Sequence, residues 1–360
     1  MVAQKAGIMN PLYLLTGATG HLGSHVLADL LAAGRTVRVL VQPNDPERKR
    51  LPAGVDIVDG DVLDTASLEA LFDLPAATDV YVIHMAAIIT ISSGYNDKVF
   101  RVNVEGTRNV VEKCLEKKVK RLVHVSSVHA IPELPHGQII KEVDHFDPKD
   151  IVGFYGKTKS QASQLVLDAV RQHGLDAVIV HPAGIVGPGD YRRGFFTSLI
   201  WQASNGSIPA GVKGAYNFVD VRDVAAGIVS AMQKGRTGEC YILANRRISL
   251  DELFHDIHLA SGAKEVKGRV PFWLAKLAVP FFTVIARLQK KTPLFTLYAL
   301  YTLRSNSLFS IDKAVAELDY RVRPFGESIR DTVAWMAREG WLTAAKRRHA
   351  YGKTSAAVNR

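Results

Sequence analysis

The sequence predicts an α/β chain: a doubly wound parallel sheet followed by a smaller, mostly helical C-terminal lobe. Three observations carry this. Short apolar runs alternate with helical patterns from Leu12 to His181. The first run passes directly into a glycine-rich turn. Beyond Pro182 the alternation weakens, while helical and apolar residues persist to about position 345.

Taken in order, Leu12–Thr16, Val37–Val41, Asp56–Asp59, Val80–His84, Leu122–Ser126 and Ala177–His181 are short and rich in Val and Ile. That is the pattern of strands buried on both faces. Between them, His21–Ala33 reads as a helix stopped at Gly34, and Asn103–Lys118 and Tyr155–His173 as longer helices, the last stopped at Gly174. Gly187–Asn217 reads as Gly-rich and irregular, Val224–Gln233 as a helix, Cys240–Ala244 as a further strand and Ser249–Ser261 as a helix. No internal repeat or low-complexity linker interrupts the chain.

Composition is that of an ordinary globular protein, with 47% hydrophobic and 22% charged residues over 360 positions. The net charge of +10 raises nucleic acid as a partner. The cations are dispersed, however. Their densest groups, Arg48-Lys49-Arg50, Lys117 to Arg121 and Lys346 to Arg348, have no interleaved aromatic platform, so no nucleic-acid partner is expected. Cys114 and Cys240 lie in no metal-binding spacing; they read as buried thiols of a cytoplasmic protein, and no metal site is expected. Met1 to Asn10 lacks the apolar core of a signal peptide. Phe272–Leu288 is the most apolar stretch, but Lys276 and Arg287 interrupt it and Pro280 breaks it. It is too short to span a bilayer and reads as helices of the lobe, without stable membrane insertion; contact with a membrane surface is the alternative.

The first strand runs into Thr16-Gly17-Ala18-Thr19-Gly20-His21-Leu22-Gly23, with glycines at i, i+3 and i+6. A strand that turns straight into a helix leaves free N–H groups at the helix start, and these bind a pyrophosphate. Glycine is required where a Cβ would block the turn, the phosphate or the helix–strand packing. The motif therefore points to a dinucleotide on a Rossmann fold. The second cluster is Tyr155-Gly156-Lys157-Thr158-Lys159. Tyr155 and Lys159 share one helix face at i, i+4. A nearby ammonium would lower the phenol's pKa, so that Tyr155 could protonate a ketone oxygen or deprotonate an alcohol.

TGATGHLG, together with the YGKTK cluster, resembles the extended branch of the short-chain dehydrogenase/reductase superfamily, the NAD-dependent epimerase/dehydratase and dihydroflavonol-4-reductase-like proteins. The resemblance implies a catalytic set of Ser127, Tyr155 and Lys159. Ser127 is chosen over Ser126 because it aligns with the family's serine in VHVSSVHA. It further implies that Asn103, in RVNVEGT, supports the lysine and a proton-relay water. Gly17, Thr19, Gly20, His21, Leu22 and Gly23 would bed the pyrophosphate. Asp61 and Val62 would meet the adenine; Ala86 and Ala87 would lie along the adenosine half. Pro182 and Ile185, in HPAGIVGPG, would cover the nicotinamide, with His181 where the family has arginine. Tyr155 and Lys159 would also touch the cofactor. His84 reads as a structural histidine. FVDVRDVA, from Phe218 to Ala225, matches a further family segment, so the resemblance runs from about 12 to 245.

On this reading residues 11–186 form the nucleotide-binding core and 218–245 return to it. Residues 187–217 and 246–345 build the substrate lobe, and 346–360 form a basic tail. The second strand ends at Gln42, where NAD-selective relatives carry a carboxylate and NADP-selective ones often an arginine. Arg48, Lys49 and Arg50 could reach a 2′-phosphate, which favours NADP(H) over NAD(H). Tyr216 stands where sugar-nucleotide enzymes have a diphosphate-gripping arginine. The lobe holds Phe272, Trp273, Phe281, Phe282, Phe295, Tyr298 and Tyr301, and those that line a pocket would favour an apolar ligand. The expected function is carbonyl–alcohol interconversion on a small apolar substrate. The alternatives are a nucleotide-sugar epimerase or dehydratase and a non-catalytic NADP(H)-binding regulator. The resemblance also implies a possible homodimer.

Overall fold

A computed structural model describes residues 11–75, 78–91, 94–288, 296–344 and 349–350, with side chains left aside for 282–288. The first half of the chain alternates β1 (Leu12–Thr16), α1 (His21–Ala32), β2 (Thr36–Val41), β3 (Asp56–Asp59), α2 (Thr65–Leu71), β4 (Val80–His84), α3 (Asp97–Phe100), α4 (Gly106–Glu116), β5 (Arg121–Val125), α5 (Phe154–His173) and β6 (Ala177–Pro182). Then follow β7 (Gly184–Val186), α6 (Phe195–Ser204), β8 (Ala210–Val212), β9 (Ala215–Asp220), α7 (Val221–Lys234), β10 (Cys240–Leu243), β11 (Arg246–Ser249), α8 (Leu250–Ser261), β12 (Gly268–Val270), α9 (Phe272–Leu288), α10 (Leu297–Thr302), α11 (Asp312–Leu318) and α12 (Phe325–Arg338).

The central sheet has seven parallel strands in the order β10-β6-β5-β4-β1-β2-β3. The order reverses between β1 and β4, so a crevice opens at their carboxyl ends, where such sheets bind ligands. All five residues of β1 are buried, as a strand covered on both faces requires. Gly34 and Gly174 adopt positive φ after α1 and α5, the left-handed conformation that ends both helices as their sequences predict. Two apolar clusters form. One packs the sheet against its helices, with Leu14, Ile83, Leu122 and Val180 at its centre. The other gathers Phe218, Ile248, Phe254, Ile329 and Met336 in the lobe, around the three-stranded sheet β11-β9-β7.

Three expectations need correction. Residues 187–217 are not irregular: they hold α6, β8 and the start of β9. α6 buries Thr197, Ile200, Ala203 and Ser204 at helical spacing, but its flanking Phe and Trp residues mask that period in the sequence. Pro280 does not break Phe272–Leu288, which forms one helix with the proline inside it. A proline removes one N–H bond and can be carried through as a kink. The helix at Asn103 starts earlier, at Asp97, and widens to a π-helical turn over Arg101–Glu105. Most of the basic tail expected at 346–360, like Met1–Asn10, lies outside the described residues, as do the side chains of Phe282 and Phe295. Cys114 and Cys240 are buried and unpaired, and burial raises both thiol pKa values.

Candidate active site

The glycine turn is fixed by close backbone approach. Gly17 has φ +77°, and a Cβ on it would lie 2.8 Å from the Ala86 nitrogen. A Cβ on Gly23 would lie 2.1 Å from the Gly17 carbonyl oxygen. No side chain caps α1 at Gly20, so its first-turn N–H groups face the crevice. This cradle fits a dinucleotide pyrophosphate. His21 turns its ring away, with Nε2 3.0 Å from the Pro188 carbonyl; burial lowers its pKa. Leu22 packs on the sheet core.

The Thr19 hydroxyl donates to Asp45 at 2.6 Å, and the Arg192 guanidinium donates to both Asp45 carboxylate oxygens and to Thr19. Burial pushes the Asp45 carboxyl up, but the bonds from Thr19, the Glu47 N–H and Arg192 outweigh it and hold it below the usual range. Arg192 thereby ties the loop after β7 to the glycine turn. At the ends of β2 and β3, Gln42 donates to Asp61 at 2.6 Å, and Asp61 also accepts the Leu63 N–H. Val62 is buried and its carbonyl accepts from Asn109. Ala86 donates its N–H to the Thr16 hydroxyl, which also meets His84 Nδ1 at 2.7 Å. His84 Nε2 lies 3.0 Å from the Thr107 hydroxyl, so both ring nitrogens are satisfied, and burial drives its pKa to about 3. Ala87 is half-buried beside Ala86; Pro182 ends β6 and Ile185 lies in β7.

The two serines after β5 point to different places. Ser126 pairs with Ser163 at 2.7 Å inside the core. Ser127 accepts the His129 N–H, and it stands close enough to the Tyr155 phenol to oppose the upward shift of its pKa. Tyr155 and Lys159 are both buried, one turn apart on α5. The expected action of the lysine on the phenol is not what the structure displays. Burial pushes Tyr155 up to about 12, with only Ser127 opposing it. Burial brings Lys159 down to about 7, and its Nζ donates to the Val125 carbonyl at 2.6 Å. One N–H of Lys159 is thus engaged at the end of β5. Asn103 also differs from expectation. Its amide bonds the Ile88 N–H and C=O and the Thr158 hydroxyl, not Lys159. It fixes the α5 turn that carries the lysine.

Three residues lie around Tyr155, and one of them, His129, carries no assignment from the sequence. The His129 ring lies 6.3 Å from that of Tyr155, centre to centre, and edge-on to it. Its Nε2 is 2.7 Å from the Tyr216 hydroxyl and its Nδ1 3.3 Å from the Tyr298 hydroxyl. Burial lowers the His129 pKa to about 4, so the ring is neutral and one tautomer can serve both phenols. The Tyr298 ring lies over Gly153, where a Cβ would come within 2.2 Å of it. A cavity of about 40 Å³ remains among these groups, also lined by Ile131, Ile151 and Tyr301. The sequence carries one clue: Tyr216 occupies the arginine position, and a phenol there needs a partner.

A family model described as the NAD dependent epimerase/dehydratase family matches residues 13–244. The chain is similar to sterol demethylase protein B of Methylococcus capsulatus, 30% identical over 334 residues, spanning 91% of this chain and 99% of that one. It is similar to the 4-hydroxy-2-methyl-3-oxo-4-farnesyl-3,4-dihydroquinoline-1-oxide ketoreductase of Stigmatella aurantiaca, 30% identical over 317 residues, spanning 86% of this chain and 91% of that one. Its structure resembles the crystal structure of gox2253, with a TM-score of 0.80, 30% identity, and coverage of 93% of this chain and 100% of that one.

Proposed function

Because the chain belongs to the NAD-dependent epimerase/dehydratase family, in the extended branch of the short-chain dehydrogenases/reductases, we propose that it interconverts a carbonyl and an alcohol on a small apolar substrate with NADP(H). The observation that carries this is the approach of Ser127, just past β5, to Tyr155 of α5, at the same sheet edge as the glycine turn after β1. The bound nicotinamide supplies the hydride in reduction and takes it in oxidation. Ser127 holds the substrate oxygen by its hydroxyl, and Tyr155 gives that oxygen a proton as negative charge develops. Lys159, whose pKa burial brings down to about 7, would hold the nicotinamide ribose. Asn103, through Thr158, positions that turn of α5. We assign 11–186 and 218–245 to the dinucleotide and 187–217 and 246–345 to the substrate; the two apolar clusters follow this division except that Ala314, Leu318 and Tyr320 pack into the first and Val186 and Phe218 into the second.

The substrate class follows from what lines the cavity. Tyr216 is buried and bound to His129, so no guanidinium fork faces a diphosphate. Ile131, Ile151 and Tyr298 make part of the wall apolar, beside the polar Glu133, Ser305 and Asn306. Two relatives are named for a sterol and for a farnesyl-bearing ketone. The cavity is small, so a sterol-sized substrate has to displace the Tyr298 ring from its packing on Gly153.

For the cofactor, no carboxylate stands at Gln42, and Asp45 is engaged by Thr19 and Arg192. Arg48 is paired with Asp59, and Arg50 with Glu47 and the Tyr191 ring. Lys49 is exposed and in no ion pair among the described residues, which leaves it to meet a 2′-phosphate. The test is oxidation of NADPH and NADH across steroid, flavonoid and long-chain aldehyde carbonyls, with UDP- and GDP-sugars as the contrast. Turnover of an apolar carbonyl with NADPH is expected. Turnover of a sugar nucleotide alone overturns the reading.

A further inference from the structure

The outward side of α9 is apolar. Ala275 and Val279, one turn apart, face inward and are buried. The opposite side presents Trp273, Leu274 and Leu277, which are 65%, 44% and 69% exposed. Lys276 is the one charged residue between Phe272 and Phe281. A helix at a water interface normally shows the reverse pattern. None of the three apolar side chains lines the catalytic cavity.

Beside the first turn of this helix opens a cleft of about 800 Å³. Pro271 and Phe272, which lead into α9, form part of its wall. Four cations stand around it, Lys213, Arg247, Arg269 and Arg304, against the single carboxylate of Asp251, which Arg269 already holds. Lys213, Arg247 and Arg304 are exposed and in no ion pair among the described residues. The Arg304 guanidinium lies 4.8 Å from the centre of the Phe272 ring, so charge and apolar surface adjoin directly. The cleft and the catalytic cavity share no lining residue.

We propose that this side of the lobe docks on the surface of an anionic phospholipid bilayer. Trp273, Leu274 and Leu277 enter the headgroup boundary, and the cationic cleft covers lipid phosphates. Each half complements one layer of that interface: an indole and leucines reach the acyl boundary, and the cations meet the phosphate layer above it. A second copy of the chain fits less well. A two-fold contact would set these same cations against one another on a chain of net charge +10. Among the described residues no helix is long and apolar enough to cross a membrane, so the contact is with the surface.

The experiment is co-sedimentation of the full chain with phosphatidylglycerol-containing vesicles and with pure phosphatidylcholine vesicles, at low and high salt. Binding to the anionic vesicles, weakened by salt, is expected. The pairs Trp273→Ser/Leu277→Ser and Lys213→Gln/Arg304→Gln should each weaken partitioning about tenfold or more. Both should keep the parent melting temperature and turnover of a water-soluble carbonyl. On the unaltered chain, brominated acyl chains should quench tryptophan fluorescence, and Trp273→Phe should remove most of that quenching. Four results overturn the proposal: no association with anionic vesicles at low salt; both pairs binding like the parent; a dimer that Trp273→Ser/Leu277→Ser dissolves; or free UDP binding in the cleft without vesicle binding.

Discussion

The two halves of the candidate site are built by different means. The dinucleotide half is made by backbone: a positive φ at Gly17, a helix packed on it at Gly23, and free N–H groups in between. All of it lies within eight consecutive residues. The substrate half is made by side chains. His129 meets Tyr216 and Tyr298 across sequence separations of 87 and 169 residues. Backbone geometry tolerates no substitution but admits one ligand class. A box of side chains can be refitted, and it is where relatives sharing a cradle can diverge in substrate.

The largest predicted effect falls on the cradle. Gly23→Ala places a methyl 2.1 Å from the Gly17 oxygen, so α1 has to move off β1. About 3 kcal/mol of stability should be lost, along with NADPH binding. Urea denaturation and a fluorescence titration measure the two. An unaltered titration would break the contrast.

The second prediction concerns the same half, beneath the cradle. His124 is fully buried, neither ring nitrogen has a hydrogen-bond partner, and its ring stacks on His84 at 5.5 Å. His124→Leu should stabilise the fold by about 1–2 kcal/mol by removing two unsatisfied atoms. The pH dependence has a definite sign. Burial holds His124 well below 6.5, and His129 and His181 at about 4. As pH falls through 6.5 the unfolded chain gains these protons, while the folded chain keeps His129 and His181 neutral until about pH 4 and His124 neutral well below 6.5. Stability therefore falls across that window, and His124→Leu should make the fall shallower in melts at stepped pH.

The third sharpens the substrate half. Tyr216→Phe leaves His129 Nε2 without its partner, costing about 1 kcal/mol. Substrate KM should rise about fivefold while NADPH affinity holds. The smallest effect is Lys49→Gln, an exposed cation. It should shift the NADPH-over-NADH preference by at most about fivefold, read from kcat/KM for each.

This division also explains what could be read from the sequence. Strands β1, β3 and β4 were legible to the residue, because a doubly covered strand is a short, continuous apolar run. The glycine turn and the Tyr155–Lys159 spacing are local, and so were legible. α6 was not, because Phe195, Phe196 and Trp201 on its other sides obscure the buried stripe. His129 was not, because nothing near it in the chain distinguishes it; only the folded contact with Tyr216 and Tyr298 does. The bond from the Lys159 side chain to the Val125 carbonyl is likewise a property of packing at the end of β5.

The role given to the phenol is open to a single direct measurement: kcat and NADPH affinity of Tyr155→Phe, with an apolar carbonyl as substrate. The loss of one hydroxyl should lower kcat by about 10²–10⁴-fold and leave the dissociation constant for NADPH within about twofold. A kcat close to that of the unaltered chain, or a cofactor affinity that collapses together with turnover, would contradict it.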